Sequence, residues 1–190
     1  MSAKQEFIEI FQENIKRPGS EKLLEWLSQS DFFIAPASTK YHSAFEGGLV
    51  QHSLNVYKLL KKRCAEYGIT DGESIAICGL LHDICKANFY TISYRNAKNE
   101  RGQWEKVPYY TVDDQFPFGH GEKSVFVVER FMRLRENEAI AIRWHMGGFD
   151  EGGGFAISQA YERYPLAVKL HLADLESTYL KEKGTSSVRK

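Results

Sequence analysis

The sequence predicts an all-α fold, a helical bundle carrying one small β-hairpin, and three observations lead there. Most of the chain repeats its apolar residues at three- and four-residue steps. One window, 88–119, changes to runs of β-forming residues around a polar, glycine-bearing centre. The most apolar helical stretch ends in a His-Asp pair followed by a lysine, GLLHDICKANF at Gly79 to Phe89.

The elements follow in order. In AKQEFIEIFQENI, Phe7, Ile8, Phe11 and Ile15 share one helical face. A second helix, SEKLLEWLSQ, is expected after Pro18-Gly19 with Ser20 as its N-cap. These two form an N-terminal scaffold within residues 1–40. GGLVQHSLNVYKLLKKRCAEYG reads as a long amphipathic helix closed by Gly68 at the position where a left-handed residue ends a helix. DGESIAICGLLHDICKA is apolar almost all round, so it should be the most buried helix and run through the His-Asp pair. FYTISYR and KVPYYTV flank NAKNERGQWE as a hairpin or flap, with Pro108 keeping its strand at an edge. GEKSVFVVERFMRLR and NEAIAIRWHM resume helical spacing, the glycine-rich GGFDEGGGF reads as a loop, and PLAVKLHLADLESTYLKEK starts a last helix from Pro165. Tyr90, Tyr94, Trp104, Tyr109 and Tyr110 either cover the hairpin's own core side or form a lid over a ligand, the first being favoured.

A chain of 190 residues suits a single domain, and no stretch approaches the length of apolar residues a membrane span needs. The amphipathic start lacks the pattern of a signal peptide, so cytoplasmic residence is the expectation. Cys64, Cys78 and Cys85 contain no C-x-x-C pair and read as buried reduced thiols without a chemical role. Lys plus Arg and Asp plus Glu number 25 each, which disfavours an extended nucleic-acid partner but leaves room for a small phosphorylated ligand. Oligomeric state is not readable.

Histidines stand at 42, 52, 82, 120, 145 and 171, spread so that any common site must be assembled from separate helices. On a continuous helix His82 and Asp83 would point about 100° apart, and Lys86 would lie on the same side. A carboxylate in an apolar run needs a partner, because burying it alone costs several kcal/mol. For Asp83 the partner is either Lys86, in a simple ion pair, or a metal ion shared with His82. Asp174, crowded by Leu170, Leu172, Ala173 and Leu175, poses the same choice, with helix capping as the structural alternative. Imidazole and carboxylate ligands around a divalent ion, with an ammonium at the rim, form a site suited to a phosphate ester.

The ordered set His52 in GGLVQHSLNV, His82-Asp83 in LLHDICK, His120 in GHGEKS, His145 in IRWHMG and Asp174 in LADLES resembles the HD superfamily of metal-dependent phosphohydrolases, over about residues 41–180. The resemblance implies that His52, His82, Asp83 and Asp174 hold one metal. It adds His120 and His145 as ligands of a second metal, with Asp83 bridging. Lys86 matches the lysine that faces substrate phosphate, although Cys85 stands where many two-metal relatives have glycine. The chain is also similar to the HD portion of certain 3′-to-5′ exoribonucleases around YHSAFEGGLVQHSL, without their OB domain, and it lacks the Gly-Tyr-Pro element of cyclic di-GMP phosphodiesterases.

The expected function is hydrolysis of a phosphomonoester or phosphodiester, nucleotide substrates foremost, by water activated on one or two divalent ions drawn from Fe, Mn, Ni, Co, Zn or Mg. Asp83 and Lys86 would be catalytic, with Lys86, Arg143 and His42 binding substrate. Trp144 is a further pocket candidate. His42 is alternatively a loop anchor, and His171 a hydrogen-bonding support for a ligand. The rival readings are a single-strand 3′-to-5′ nuclease and a non-catalytic domain that binds metal or nucleotide to regulate.

Overall fold

The computed structural model describes residues 1–40, 43–150 and 153–182. Its elements are α1 (Ala3–Asn14), α2 (Ser20–Gln29), α3 (Gly48–Glu66), α4 (Gly72–Leu81), a 3-10 turn (Ile84–Lys86), β1 (Tyr90–Lys98), β2 (Trp104–Val112), α5 (His120–Glu129), α6 (Glu136–Arg143), a second 3-10 turn (Gly147–Phe149), α7 (Gly154–Arg163), α8 (Pro165–Glu176) and a π turn (Ser177–Lys181). The helical bundle with one two-stranded antiparallel sheet is therefore observed. Among the described residues no helix is long and apolar enough to cross a membrane.

The core is built around α4. Asp71 caps it, accepting from the Ser74 N–H at 3.1 Å, and every residue from Ser74 to Leu81 is buried. A helix apolar all round can satisfy its surface only by being surrounded, and α1, α3 and α6 pack against it. On α1, capped by Ser2, Phe7 and Phe11 meet Phe32 and Phe33 in an aromatic cluster. The fully buried Glu138 ties the scaffold together, accepting from Arg17 at 2.7 and 2.8 Å, from Ser74 Oγ at 2.5 Å and from the Arg135 N–H at 2.7 Å. Several donors are what a buried carboxylate requires.

Four expectations are corrected. Ser20 is the first helical residue rather than the cap; Gly19, at φ +90°, holds the capping position. The helix through the His-Asp pair stops early: His82 closes α4, Asp83 leaves helical geometry at φ −104°, ψ 17°, and one 3-10 turn follows before Asn88 turns the chain at φ +54°. The glycine-rich segment leads directly into a helix, α7, whose Ile157 and Ala160 face inward. The last helix keeps α geometry only to Glu176 and then widens into the π turn.

The hairpin forms with Tyr90 opposite Val112 and Lys98 opposite Trp104. Asn99 closes it, its side chain accepting from the Arg101 and Gln103 N–H groups. The expectation that its aromatics cover a core holds for Tyr90, which packs on the core and donates to the Ala37 carbonyl at 3.1 Å. It fails for Tyr94 and Trp104, 64% and 69% exposed, because the outer part of the hairpin stands away from the bundle.

Helices α3 and α4 approach so closely that a Cβ on Gly79 would lie 2.6 Å from the Tyr57 Cα. Backbone on the opposing helix cannot yield as a side chain can, so Gly79→Ala should lower stability by about 1–3 kcal/mol, measurable as a shifted urea midpoint.

Candidate metal centre

Six side chains from separate parts of the chain meet at the end of α4. His52 comes from the second turn of α3, His82 from the last residue of the α4 turn, Asp83 from the link beyond it, His120 from the first position of α5, His145 from just past α6 and Asp174 from α8. His52, His82, Asp83 and His145 are essentially fully buried. Gly121 makes one convergence possible: a Cβ there would sit 2.1 Å from the Arg143 carbonyl oxygen, and its absence lets the start of α5 abut the end of α6, setting His120 beside His145.

The Asp83 carboxylate divides the group. Its Oδ1 faces His120 Nε2 at 2.8 Å and His145 Nε2 at 3.4 Å. Its Oδ2 faces His52 Nε2 at 3.5 Å and His82 Nε2 at 3.7 Å, and accepts from Lys86 Nζ at 2.7 Å. Asp174 Oδ1 joins the second set, 3.2 Å from His52 Nε2. The 3-10 turn explains the Lys86 contact, since residues three apart eclipse in that geometry.

The ring orientations follow one pattern. His82 Nδ1 donates to the Gly79 carbonyl at 3.1 Å, His145 Nδ1 to the Ile142 carbonyl at 2.7 Å and His52 Nδ1 to Glu182 Oε1 at 3.1 Å. In each case Nδ1 is occupied and Nε2 is turned to the centre, the arrangement metal-binding imidazoles adopt. His145 Nε2 is buried without a hydrogen-bond partner, and an orphaned ring nitrogen inside a protein calls for a ligand. Among the described residues, three overlapping triads have donor atoms within 4.8 Å of one another: His52, His82 and Asp174; His82, Asp83 and His145; and Asp83, Cys85 and His120. The residues thus fit divalent ions, and nitrogen with carboxylate oxygen suits Fe, Mn, Ni, Co or Zn better than Mg.

The charges respond strongly to this enclosure. Burial opposes ionisation of His52, but its bonds to Asp174 and Glu182 outweigh that and hold its pKa up at about 10. His120 is likewise raised to about 10, against burial, by Cys85 and Asp83. Burial drives His82 down to about 3. Asp83 lies well below the usual carboxylate range despite burial, chiefly through Lys86 and the surrounding histidines, and Asp83 in turn raises Lys86.

Other expected residues fall differently. Arg143 stacks on Trp144, with its guanidinium 3.7 Å from the ring centroid, and is bound by Glu122 and by Asp150 at 2.6 Å. Those ion pairs hold it to its own protein. His171 donates from Nδ1 to the His145 carbonyl at 2.7 Å and so supports a site residue, as one reading had it. His42 lies outside the described residues. Cys85 is a free, buried thiol as expected, and its Sγ lies 3.3 Å from His120 Nδ1. Sequence reasoning missed Glu182 altogether: it lies 130 residues from His52 in a charged tail segment, and no local pattern marks it.

Comparison with known proteins agrees with this geometry. Residues 49–178 match the HD domain family model, which covers most of the chain and all six convergent residues. The chain belongs to the HD domain family. One curated relative, the dihydroneopterin 2′,3′-cyclic phosphate phosphodiesterase of Methanocaldococcus jannaschii, is 32% identical over 84 residues, 42% of this HD-domain chain. The match spans 31% of the relative's own length. No solved structure matches the chain.

The two raised histidines give the fold a pH signature. A histidine whose folded pKa lies above its ordinary 6.5 stabilises the native state fully below 6.5, and that contribution is lost as pH rises through about 10. Protein kept in chelator should therefore melt at progressively lower temperature between those values, and His52→Gln should flatten the trend. An equally steep fall in the variant would show that the His52 ring carries no such charge.

Proposed function

We propose that this HD domain is a metal-dependent phosphohydrolase acting on a phosphomonoester or phosphodiester of a small, nucleotide-like molecule. The supporting observation is the division of Asp83, one oxygen toward His120 and His145 and the other toward His52 and His82, with Asp174 beside His52. His52, His82, Asp83 and Asp174 would hold one ion; Asp83, His120 and His145 would hold a second. Such ions supply Lewis acidity toward phosphoryl oxygens and lower the pKa of water.

The chain's own residues do the rest. The buried helix ends keep the ligand rings fixed, so little reorganisation accompanies reaction. Asp83, ionised well below neutral pH, serves both ligand sets at once. Lys86 is held charged beside Asp83 and stands at the rim of this group, 13% exposed, where its ammonium meets the charge on non-bridging phosphate oxygens. The phosphodiesterase activity of the archaeal relative supports a phosphate ester as substrate class and makes cyclic phosphodiesters the first compounds to try.

Protein loaded with manganese or cobalt should cleave members of a panel of nucleoside phosphates, cyclic nucleotides and short oligonucleotides. Turnover of oligonucleotides alone would favour a nuclease, and binding without turnover a regulatory domain; cleavage of none of them ends the hydrolase assignment. Lys86→Met should retain bound metal but lose about a hundredfold or more in kcat. Metal analysis should give near two ions per chain, falling toward one in His120→Ala and in His145→Ala, and unchanged stoichiometry in both would remove the second position.

A further inference from the structure

One carboxylate at the centre has no part in the ligand set just described. Glu182 follows the π turn, lies outside the segment that matches the family, and is only 3% exposed. Its Oε1 accepts from His52 Nδ1 at 3.1 Å, from Asn55 Nδ2 at 3.0 Å and from Ser177 Oγ at 2.5 Å, while Oε2 accepts from Ser43 Oγ at 2.7 Å. The donors come from the loop before α3, from α3 itself and from the start of the π turn. A buried carboxylate bound this fully is held in one orientation.

Its position relative to Asp174 gives that orientation a purpose. Both carboxylates belong to the same C-terminal segment, and they grip opposite nitrogens of one ring: Asp174 Oδ1 at His52 Nε2, 3.2 Å, and Glu182 Oε1 at Nδ1. A hydrogen bond at Nδ1 fixes the tautomer, aims Nε2 and makes the ring a better donor to a metal. His82 and His145 receive the same service from backbone carbonyls. His52 alone among these three receives it from a charged side chain, on a turn that must dock for the contact to exist.

We infer that Glu182 is a positioning residue of the metal centre: by holding His52 at Nδ1 it sets the affinity of the position formed with His82, Asp83 and Asp174, and couples docking of the 177–182 turn to metal binding. The coupling is reciprocal. Whatever factor the docked turn adds to metal affinity, bound metal must add to the docking equilibrium of the turn. The inference rests on the metal-centre reading above, and its tests separate the two.

Cobalt titration monitored by calorimetry gives the first test. Glu182→Gln keeps an accepting oxygen but loses the charge, and should weaken by about tenfold the same binding step that Asp174→Ala abolishes; Glu182→Ala should weaken it by up to about a hundredfold. The step that depends on His120 and His145 should keep its affinity. Native affinity for both steps in a folded Glu182→Gln protein would make Glu182 a structural latch only and overturn the inference. Absence of any cobalt binding by the unaltered protein would instead overturn the metal-centre reading itself.

The second test needs no variant. The Glu182 amide donates to the Ser177 carbonyl at 2.9 Å and reports the turn directly. Its hydrogen exchange, with that of neighbouring amides in 178–182, should slow by about tenfold or more when cobalt saturates the protein, in proportion to the measured affinity change. Exchange in this turn that is indifferent to bound cobalt would overturn the coupling, whatever the variants do.

Discussion

A single buried carboxylate governs this structure. Asp83 is nearly inaccessible to water, and a lone ionised carboxylate in such a place would cost several kcal/mol. Lys86 from the next turn and His120 from α5 bond to it, and His52 from α3, His82 from α4 and His145 from beyond α6 converge on it. Helices that would otherwise pack on apolar grounds alone are obliged to present their ends at one point. The glycine at position 121 follows from that obligation, since any side chain there would separate the ends of α5 and α6.

Metal centres built from helix ends differ from those built along helix faces in how much they can be tuned. His82, Asp83, His120 and His145 all sit where regular hydrogen bonding stops, so neighbouring backbone carbonyls are free to accept from ring N–H groups, as Gly79, Ile142 and His145 do for His82, His145 and His171. The scaffold residues Arg17 and Glu138 are remote from this chemistry, but they hold α6 against α4 and thereby fix where His145 stands relative to His82.

Periodicity revealed the helices well wherever an element had one wet face. It failed at α7, because the glycines of GGFDEGGGF obscured the helical spacing of Ile157, Ala160 and Tyr161 immediately after them. It failed again at the His-Asp pair. The apolar run continues past Leu81, so nothing in it announces that the helix tightens, and the one local sign is an asparagine, Asn88, where a left-handed turn is needed. Spacing could show that a buried Asp83 and Asp174 required partners but not which; the six-residue set was legible through family resemblance. Glu182 was illegible by either route, because its contact with His52 exists only once the 177–182 turn packs against α3.

The hairpin has a mechanical consequence. Its strands are nine residues each, giving an arm about 30 Å long, and its two roots are paired side by side: β1 begins at Tyr90, shortly after Lys86, and β2 ends at Val112, shortly before His120. Such an arm is a lever. A small rotation at its roots becomes a wide sweep at Trp104 and its neighbours, the part of the arm that stands farthest from the bundle.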